Sequence, residues 1–202
     1  MILGYKIVNL DQLLHIKGKE ETLEFLKSFS CNMNIDVENF LKYKAVNFSA
    51  AGLAKTHLVI TSYKNDIVIA GYFSLSGSKS FVISGKNKTI SKRLKNRLQR
   101  FAVYNAELKQ YHIPAPLIGQ LGKNSNFKNL ISGDELLAMA CEKVRNVQTE
   151  VGGKFVYLEC EDNIKLINFY ERNGFVSFGV RALDPDEVGL TSTVLVQLLK
   201  YL

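Results

Sequence analysis

Residues 117–137, LIGQLGKNSNFKNLISGDELL, constrain this chain more than any other stretch. A short apolar run from Leu117 to Gly122 predicts a buried strand, and a loop rich in glycine and asparagine follows. Apolar residues then recur at helical spacing: Leu136, Leu137, Ala140, Cys141, Val144 and Val147. A strand that feeds a helix through such a loop leaves backbone N–H groups at the helix start without partners, which suits a phosphate or pyrophosphate. Many strand-to-helix turns bind nothing, so the local pattern leaves both readings open.

The remaining pattern arranges itself around this turn. A first strand is expected over residues 5–10, then a helix over 20–29 with Leu23, Phe25, Leu26 and Phe29 on one face. Asp36 is the expected N-cap of a second helix running through Val37, Phe40, Leu41 and Ala45. Residues 57–63 and 67–75 are β-branched and apolar, and the turn chemistry of Lys64-Asn65-Asp66 joins them into a hairpin. Pro114 and Pro116 precede the strand at Leu117, and Gly119 and Gly122 leave room there for a backbone or a ligand. Gly152-Gly153 ends the long helix, and residues 154–160 form a strand. Asp162 or Asn163 caps a last helix carrying Leu166, Ile167, Phe169 and Tyr170, which Gly174 stops. Two closing strands, 175–180 and 191–202, flank a turn-rich loop containing Asp184-Pro185-Asp186. The last of them ends on the C-terminus, which offers an edge for pairing into a homodimer.

Residues 86–100, from Lys86 to Arg100, read KNKTISKRLKNRLQR and contain no acid. Ile90, Leu94 and Leu98 give a helix with one narrow apolar stripe. Such a stretch is either a solvated helix or a contact surface for nucleic acid or phosphate. The net charge of +7 agrees with a polyanionic partner, with a CoA-type cofactor, or with solubility alone. With 202 residues, 47% of them hydrophobic, the chain is expected to form a single domain, 1–202, in which 86–100 is a basic insertion. No run approaches the roughly 20 apolar residues of a membrane helix. Lys6 and Asp11 interrupt the early apolar segment, and the widely spaced Cys31, Cys141 and Cys160 show no metal-ligand spacing. A cytoplasmic protein without a metal or a membrane contact is expected.

The order is thus β, α, α, β, β, a basic insertion, β, α, β, α, β, β. With FVYLECEDNIKLINFYERNGF at residues 155–175, it resembles the GNAT superfamily of acyl-CoA N-acyltransferases. The resemblance rests on a strand, Asn163 at a helix start, and the pattern Tyr170-x-x-x-Gly174-Phe175. It covers residues 117–178 well and the N-terminal half by order of elements. It implies an α/β GNAT fold: a central mixed, mostly antiparallel sheet of six or seven strands with flanking helices and splayed fourth and fifth strands.

The same resemblance implies a site. The backbone of Gln120, Leu121 and Gly122 would bind the pantetheine arm of acetyl-CoA. The pyrophosphate loop would be Lys123 with Lys128, Asn129, Leu130, Ile131, Ser132 and Gly133. Ile131 stands where the family has a glycine, a departure that Lys123, Lys128 and the hydroxyls of Ser125 and Ser132 would compensate. Asn163 would cap its helix, touch the cofactor, or do both. Tyr170 matches the family's general acid, and Glu159 is the weakly supported candidate for the base. The implied activity is acetyl-CoA-dependent transfer of an acetyl group directly to a primary amine. Two alternatives stand beside it. One is a GNAT-type toxin acetylating the amine of aminoacyl-tRNA, with tRNA held by residues 86–100. The other is a non-catalytic module that binds acyl-CoA or nucleic acid.

Overall fold

The computed structural model describes residues 4–77, 80–184, 190 and 192–202. The expected turn at Asp184-Pro185-Asp186 lies, past Asp184, outside the described residues. By internal contacts the chain divides into two compact units. One comprises the described residues up to Ser76 with Gly119–Ala140, and the other Gly77–Ile118 with Cys141–Leu202.

The first unit opens with β1 (Lys6–Asn9), α1 (Leu10–Lys17) and α2 (Lys19–Lys27). The expected first strand therefore stops one residue early. The Asn9 side chain accepts from the Asp11 N–H at 2.8 Å and caps α1, a helix the sequence pattern did not reveal. The second helical stretch runs as α3 (Ile35–Asn39), a π-turn (Phe40–Lys44) and α4 (Ala45–Ala50). Its cap is Asn34, not Asp36: the Asn34 side chain accepts from the N–H groups of Asp36 and Val37, two and three residues on. Strands β2 (Lys55–Tyr63) and β3 (Asp66–Ser76) pair antiparallel as expected. Lys64 and Asn65 both have positive φ, which is what a two-residue hairpin turn demands. Leu10, Leu26, Phe29, Leu41, Leu58, Ile69 and Tyr72 close over one another as this unit's core.

The second unit holds the basic stretch. It contains β4 (Ser80–Ser84), α5 (Lys92–Leu98), β5 (Val103–Asn105) and β6 (Gln110–Pro114). The three strands form a separate small antiparallel sheet in the order β4-β6-β5. Ile90 and Leu98 are buried with Phe81, Ile113, Phe155 and Phe178. The helix begins only at Lys92, so Ile90 precedes it, but all three expected apolar residues, Ile90, Leu94 and Leu98, pack against this core.

Next come β7 (Leu117–Lys123), α6 (Gly133–Val151), β8 (Phe155–Glu161), α7 (Ile164–Arg172), β9 (Val176–Ala182) and β10 (Val194–Tyr201). The main sheet has seven strands in the order β1-β2-β3-β7-β8-β10-β9. The β1–β2, β2–β3, β8–β10 and β10–β9 pairs are antiparallel. The β7–β8 pair is parallel, with Leu117 opposite Tyr157 and Ile118 opposite Leu158.

This order corrects the expected dimer edge. Strand β10 is hydrogen-bonded to β8 on one side and to β9 on the other, so it has no free edge to offer a second copy. Its alternate residues are buried on both faces, as an inner strand requires. No helix among the described residues is long and apolar enough to cross a membrane.

Candidate active site

Within the first unit, β7 delivers the chain to the loop that was expected to hold a pyrophosphate. Asn124 is fully buried and anchors that loop. Its Oδ1 accepts from the N–H groups of Ser30 and Asn126 at 3.2 and 3.1 Å, and its Nδ2 donates to the Ile69 carbonyl at 2.9 Å. The Asn124 N–H donates to the Ala70 carbonyl at 2.9 Å. Ala70 is the extra residue where the β2–β3 register shifts, between the pairs Val59–Gly71 and Ile60–Ile69. Such a bulge leaves a backbone carbonyl without a ladder partner, and here Asn124 takes it. No motif signalled this residue, because a buried amide hub is created by distant partners.

The loop then passes Ser125–Phe127, a 3-10 turn, and reaches α6. Tyr5 donates to the Leu130 carbonyl and holds the middle of the loop. Ser132 and Glu135 form a capping box: the Ser132 hydroxyl accepts from the Glu135 N–H at 3.1 Å, and the Glu135 carboxylate accepts from the Ser132 N–H at 2.8 Å. That backbone N–H, with the Ser132 hydroxyl, holds the Glu135 carboxyl below the ordinary glutamate value. The box satisfies two of the helix's leading N–H groups and sets a carboxylate at the end where a phosphate was expected.

Ile131 is 2% exposed, and its backbone is not among the described positive-φ residues, which apart from glycines are Lys64, Asn65 and Lys109. Its side chain is turned into the protein, and its backbone lies in a region open to any L-residue, so the isoleucine is unstrained. Lys128 and Asn129 are exposed, Lys123 is half-buried, and Leu130 is buried. The serine hydroxyls expected to compensate are engaged as acceptors, Ser132 by Glu135 and Ser125 by the Asn32 N–H at 2.9 Å. On β7, the Gln120 side chain donates to Asp36 at 3.1 Å, and Leu121 beside it is half-buried.

Gly122 has a different reason from the one expected. A Cβ there would lie 2.4 Å from Val37 Cγ1 and 3.3 Å from the rings of Phe29 and Tyr72. The space is filled by this unit's own core, so the glycine answers a packing demand.

Within the second unit, α7 carries the candidate acid. Asn163 caps the helix, its side chain accepting from the Lys165 N–H at 2.9 Å. The pattern Tyr170-x-x-x-Gly174-Phe175 is a Schellman ending. The Phe175 N–H donates to the Tyr170 carbonyl at 3.1 Å, the Gly174 N–H donates to the Glu171 carbonyl at 2.9 Å, and Gly174 has φ +83°. The apolar contact that accompanies such an ending is here Tyr170 against Phe175, with ring centroids 5.9 Å apart. Phe169 packs edge-on to the same tyrosine at 4.9 Å. Burial, and then the neighbouring Cys160, push the Tyr170 phenol above its ordinary value, so it keeps its proton at neutral pH. Burial likewise pushes the Cys160 thiol up to about 12, and all three cysteines are free and buried.

Glu159 on β8 is committed elsewhere. Its Oε2 accepts from Arg181 Nε and Nη2 at 2.8 and 2.7 Å, and its Oε1 accepts from Gln197 at 2.8 Å. Both guanidinium nitrogens meet one carboxylate oxygen and Gln197 takes the other, so neighbouring side chains engage both oxygens of Glu159. Glu159 would have to leave these partners to serve as the expected base. Among the described residues no group of three or more His, Cys, Asp or Glu could hold a metal ion.

At the level of sequence alone, no family model and no curated protein matches the chain. Solved structures do match in shape. A tyrosine-to-phenylalanine mutant of KacT superposes with a TM-score of 0.61 at 16% identity, over 95% of this chain and 93% of that one. AtaT complexed with acetyl-methionyl-tRNA gives 0.62 at 18%, over 96% and 94%. AtaTR bound with acetyl-CoA gives 0.54 at 19%, over 96% and 91%. Likeness at this level of identity shows the fold. The chain has the GNAT fold, as residues 155–175 led us to expect.

Proposed function

We propose that this protein is an acetyl-CoA-dependent N-acetyltransferase that moves an acetyl group directly to a primary amine. The observation that carries this reading is Tyr170, a half-buried phenol kept protonated by its surroundings and fixed at a helix end, in a GNAT fold. The amine lone pair attacks the thioester carbonyl, and a C–N bond forms. A backbone N–H of β7 stabilises the oxyanion, a contribution worth about 3 kcal/mol when the donor is preorganised. The tetrahedral intermediate collapses, the C–S bond breaks, and the CoA thiolate takes the Tyr170 proton. The amine's own proton passes to water and on to the tyrosinate.

The backbone of Gln120, Leu121 and Gly122 serves the pantetheine arm in this reading. Lys123, Lys128, Asn129 and the backbone of Leu130, Ile131, Ser132 and Gly133 serve the pyrophosphate, and Asn163 acts through its cap. The loop suits this role: its two lysines supply positive charge, and Ile131 imposes no backbone strain. With Glu159 committed to Arg181, the acceptor amine is one that loses its proton unaided. An α-amine, with a pKa of about 7.7–8.0, meets that condition.

That requirement favours a second, sharper reading in which the acceptor is the α-amine of an aminoacyl-tRNA. The net charge of +7 and the likeness to AtaT complexed with acetyl-methionyl-tRNA support it. The test is mass spectrometry of acetyl-CoA incubated with the protein and either free amines or aminoacyl-tRNA. An added acetyl group on one of them, with release of CoA thiol, is expected. Binding of acetyl-CoA without transfer to any acceptor leaves the non-catalytic module as the better reading.

A further inference from the structure

We propose that the outward face of α5, together with Tyr201 of β10, is a docking site for the phosphodiester backbone of a nucleic acid. The site lies wholly within the second unit. Two adjoining cavities of about 310 and 450 Å³ share Arg93, Arg97 and Tyr201 in their walls, and among the described residues no aspartate or glutamate lines either. Arg100 and Phe101 complete the larger one. Arg93, Arg97 and Arg100 form no ion pair with any described carboxylate. The Arg97 guanidinium lies over the Tyr201 ring, 4.4 Å from its centroid.

The spacing selects the ligand. Arg93 and Arg97 stand one turn apart on α5, about 6 Å along its axis, and Arg100, in the turn after the helix, lines the larger cavity with them, so the charges extend beyond a single helical turn. One phosphate cannot engage charges strung over that length, whereas successive phosphates of a chain can. Guanidinium groups suit this task, since they bind phosphate oxygens bidentately and stay charged at any physiological pH.

The face is also held in place. Leu98 is buried, the Ser91 side chain accepts from the Leu94 N–H, and Lys95 donates to the Gly85 carbonyl. Asn87, just ahead of the helix, donates to the Phe178 carbonyl at 2.7 Å. The core and the loop take up Leu94, Leu98 and Lys95 and leave the arginines outward. Tyr201 and Phe101, from outside the basic helix, supply the aromatic surfaces its own sequence lacks. The inference goes beyond the acetyl-transfer reading and does not depend on it, because its readout is binding.

The test uses the full chain and a short fluorescent RNA oligonucleotide, titrated across a salt series, with the triple variant Arg93→Gln/Arg97→Gln/Arg100→Gln. Wild-type protein is expected to bind more weakly as salt rises, and the variant to lose at least about tenfold in affinity. Its slope of log K against log salt should be shallower by about 2, three phosphates at roughly 0.7 each for a single strand. The double variant Arg93→Gln/Arg100→Gln keeps the Arg97–Tyr201 stack and should lose about 1.4 of the slope, which covers a triple variant that fails to fold. Absence of RNA binding at low salt, or slopes unchanged in the variants, overturns the proposal. Displacement of RNA by inorganic phosphate at equal phosphate concentration also overturns it, in favour of a single-anion pocket. Acetyl-CoA-dependent thermal stabilisation, measured on the same variants, is expected to be unchanged. Its loss in wild type would count against the acetyl-transfer reading and leave this one standing.

Discussion

The N-terminal end of α6 and the C-terminal end of α7 both carry residues of the candidate site, and both are built from helix-capping chemistry. At α6 the capping box of Ser132 and Glu135 satisfies backbone donors, and in doing so brings a carboxylate to the end where an anion was expected. At α7 the Schellman ending satisfies backbone carbonyls and leaves the Tyr170 phenol to its own chemistry. The first cap competes with the proposed ligand, and the second positions the proposed acid. The contrast teaches that a motif's spacing can be a structural demand: Tyr170, Gly174 and Phe175 stand where a helix ending needs them, whatever the tyrosine does besides.

The largest expected effect tests the α7 end directly. Tyr170→Phe keeps the ring packing against Phe169 and Phe175 and removes the proton, so turnover should fall roughly 10²–10⁴-fold. Stabilisation by acetyl-CoA should survive, at about 2.7 kcal/mol when the ligand is at 100 times its Kd. Unchanged turnover would reduce the motif to its capping role.

On the α6 side, Asn124→Ala strands the Ser30 N–H and the Ile69 carbonyl inside the protein, a loss of about 3 kcal/mol by denaturant titration. A loss below 1 kcal/mol would mean that water replaces the side chain and that the loop is not held by this hub. Gly122→Ala forces a methyl group against Val37, with an expected loss of about 2 kcal/mol. Were stability unchanged but acetyl-CoA binding lost, the glycine would serve the ligand after all.

Gly174→Ala places a side chain at φ +83° and should cost about 1 kcal/mol, with turnover falling as the Tyr170 geometry loosens. The smallest effect is at Glu135. Glu135→Gln removes the resident carboxylate and should tighten acetyl-CoA binding roughly two- to five-fold at low salt, by calorimetry. Weaker binding would reverse the competition argued for this helix end. The pH trend follows the same sign. Because its folded-state value is lowered, the Glu135 cap is present above the ordinary glutamate range and is lost as pH falls through that lowered value.

Much of the fold was legible because it rests on local chemistry. The Lys64-Asn65 hairpin, the Asn163 cap, the Gly174 stop and the apolar stripe of α5 each depend on residues within a few positions of one another. Helix α1 and the small β4-β6-β5 sheet were missed because short elements carry little periodicity. The same limit applied to the site. The Tyr170 motif was visible, whereas the commitment of Glu159 to Arg181 and Gln197 was not, since those partners lie on β9 and β10.

The sequence by itself determined the Lys64-Asn65 hairpin, the Tyr170-x-x-x-Gly174-Phe175 ending and the run of positive charge from Lys86 to Arg100, because these are properties of neighbouring residues. Tertiary structure alone decided that Ile131 turns inward, that Gly122 makes room for Val37, and that β10 is an inner strand. It also placed Arg97 against Tyr201, 104 positions away in the chain. Burial and long-range pairing depend on which surfaces the folded chain brings into contact, and no local pattern encodes that.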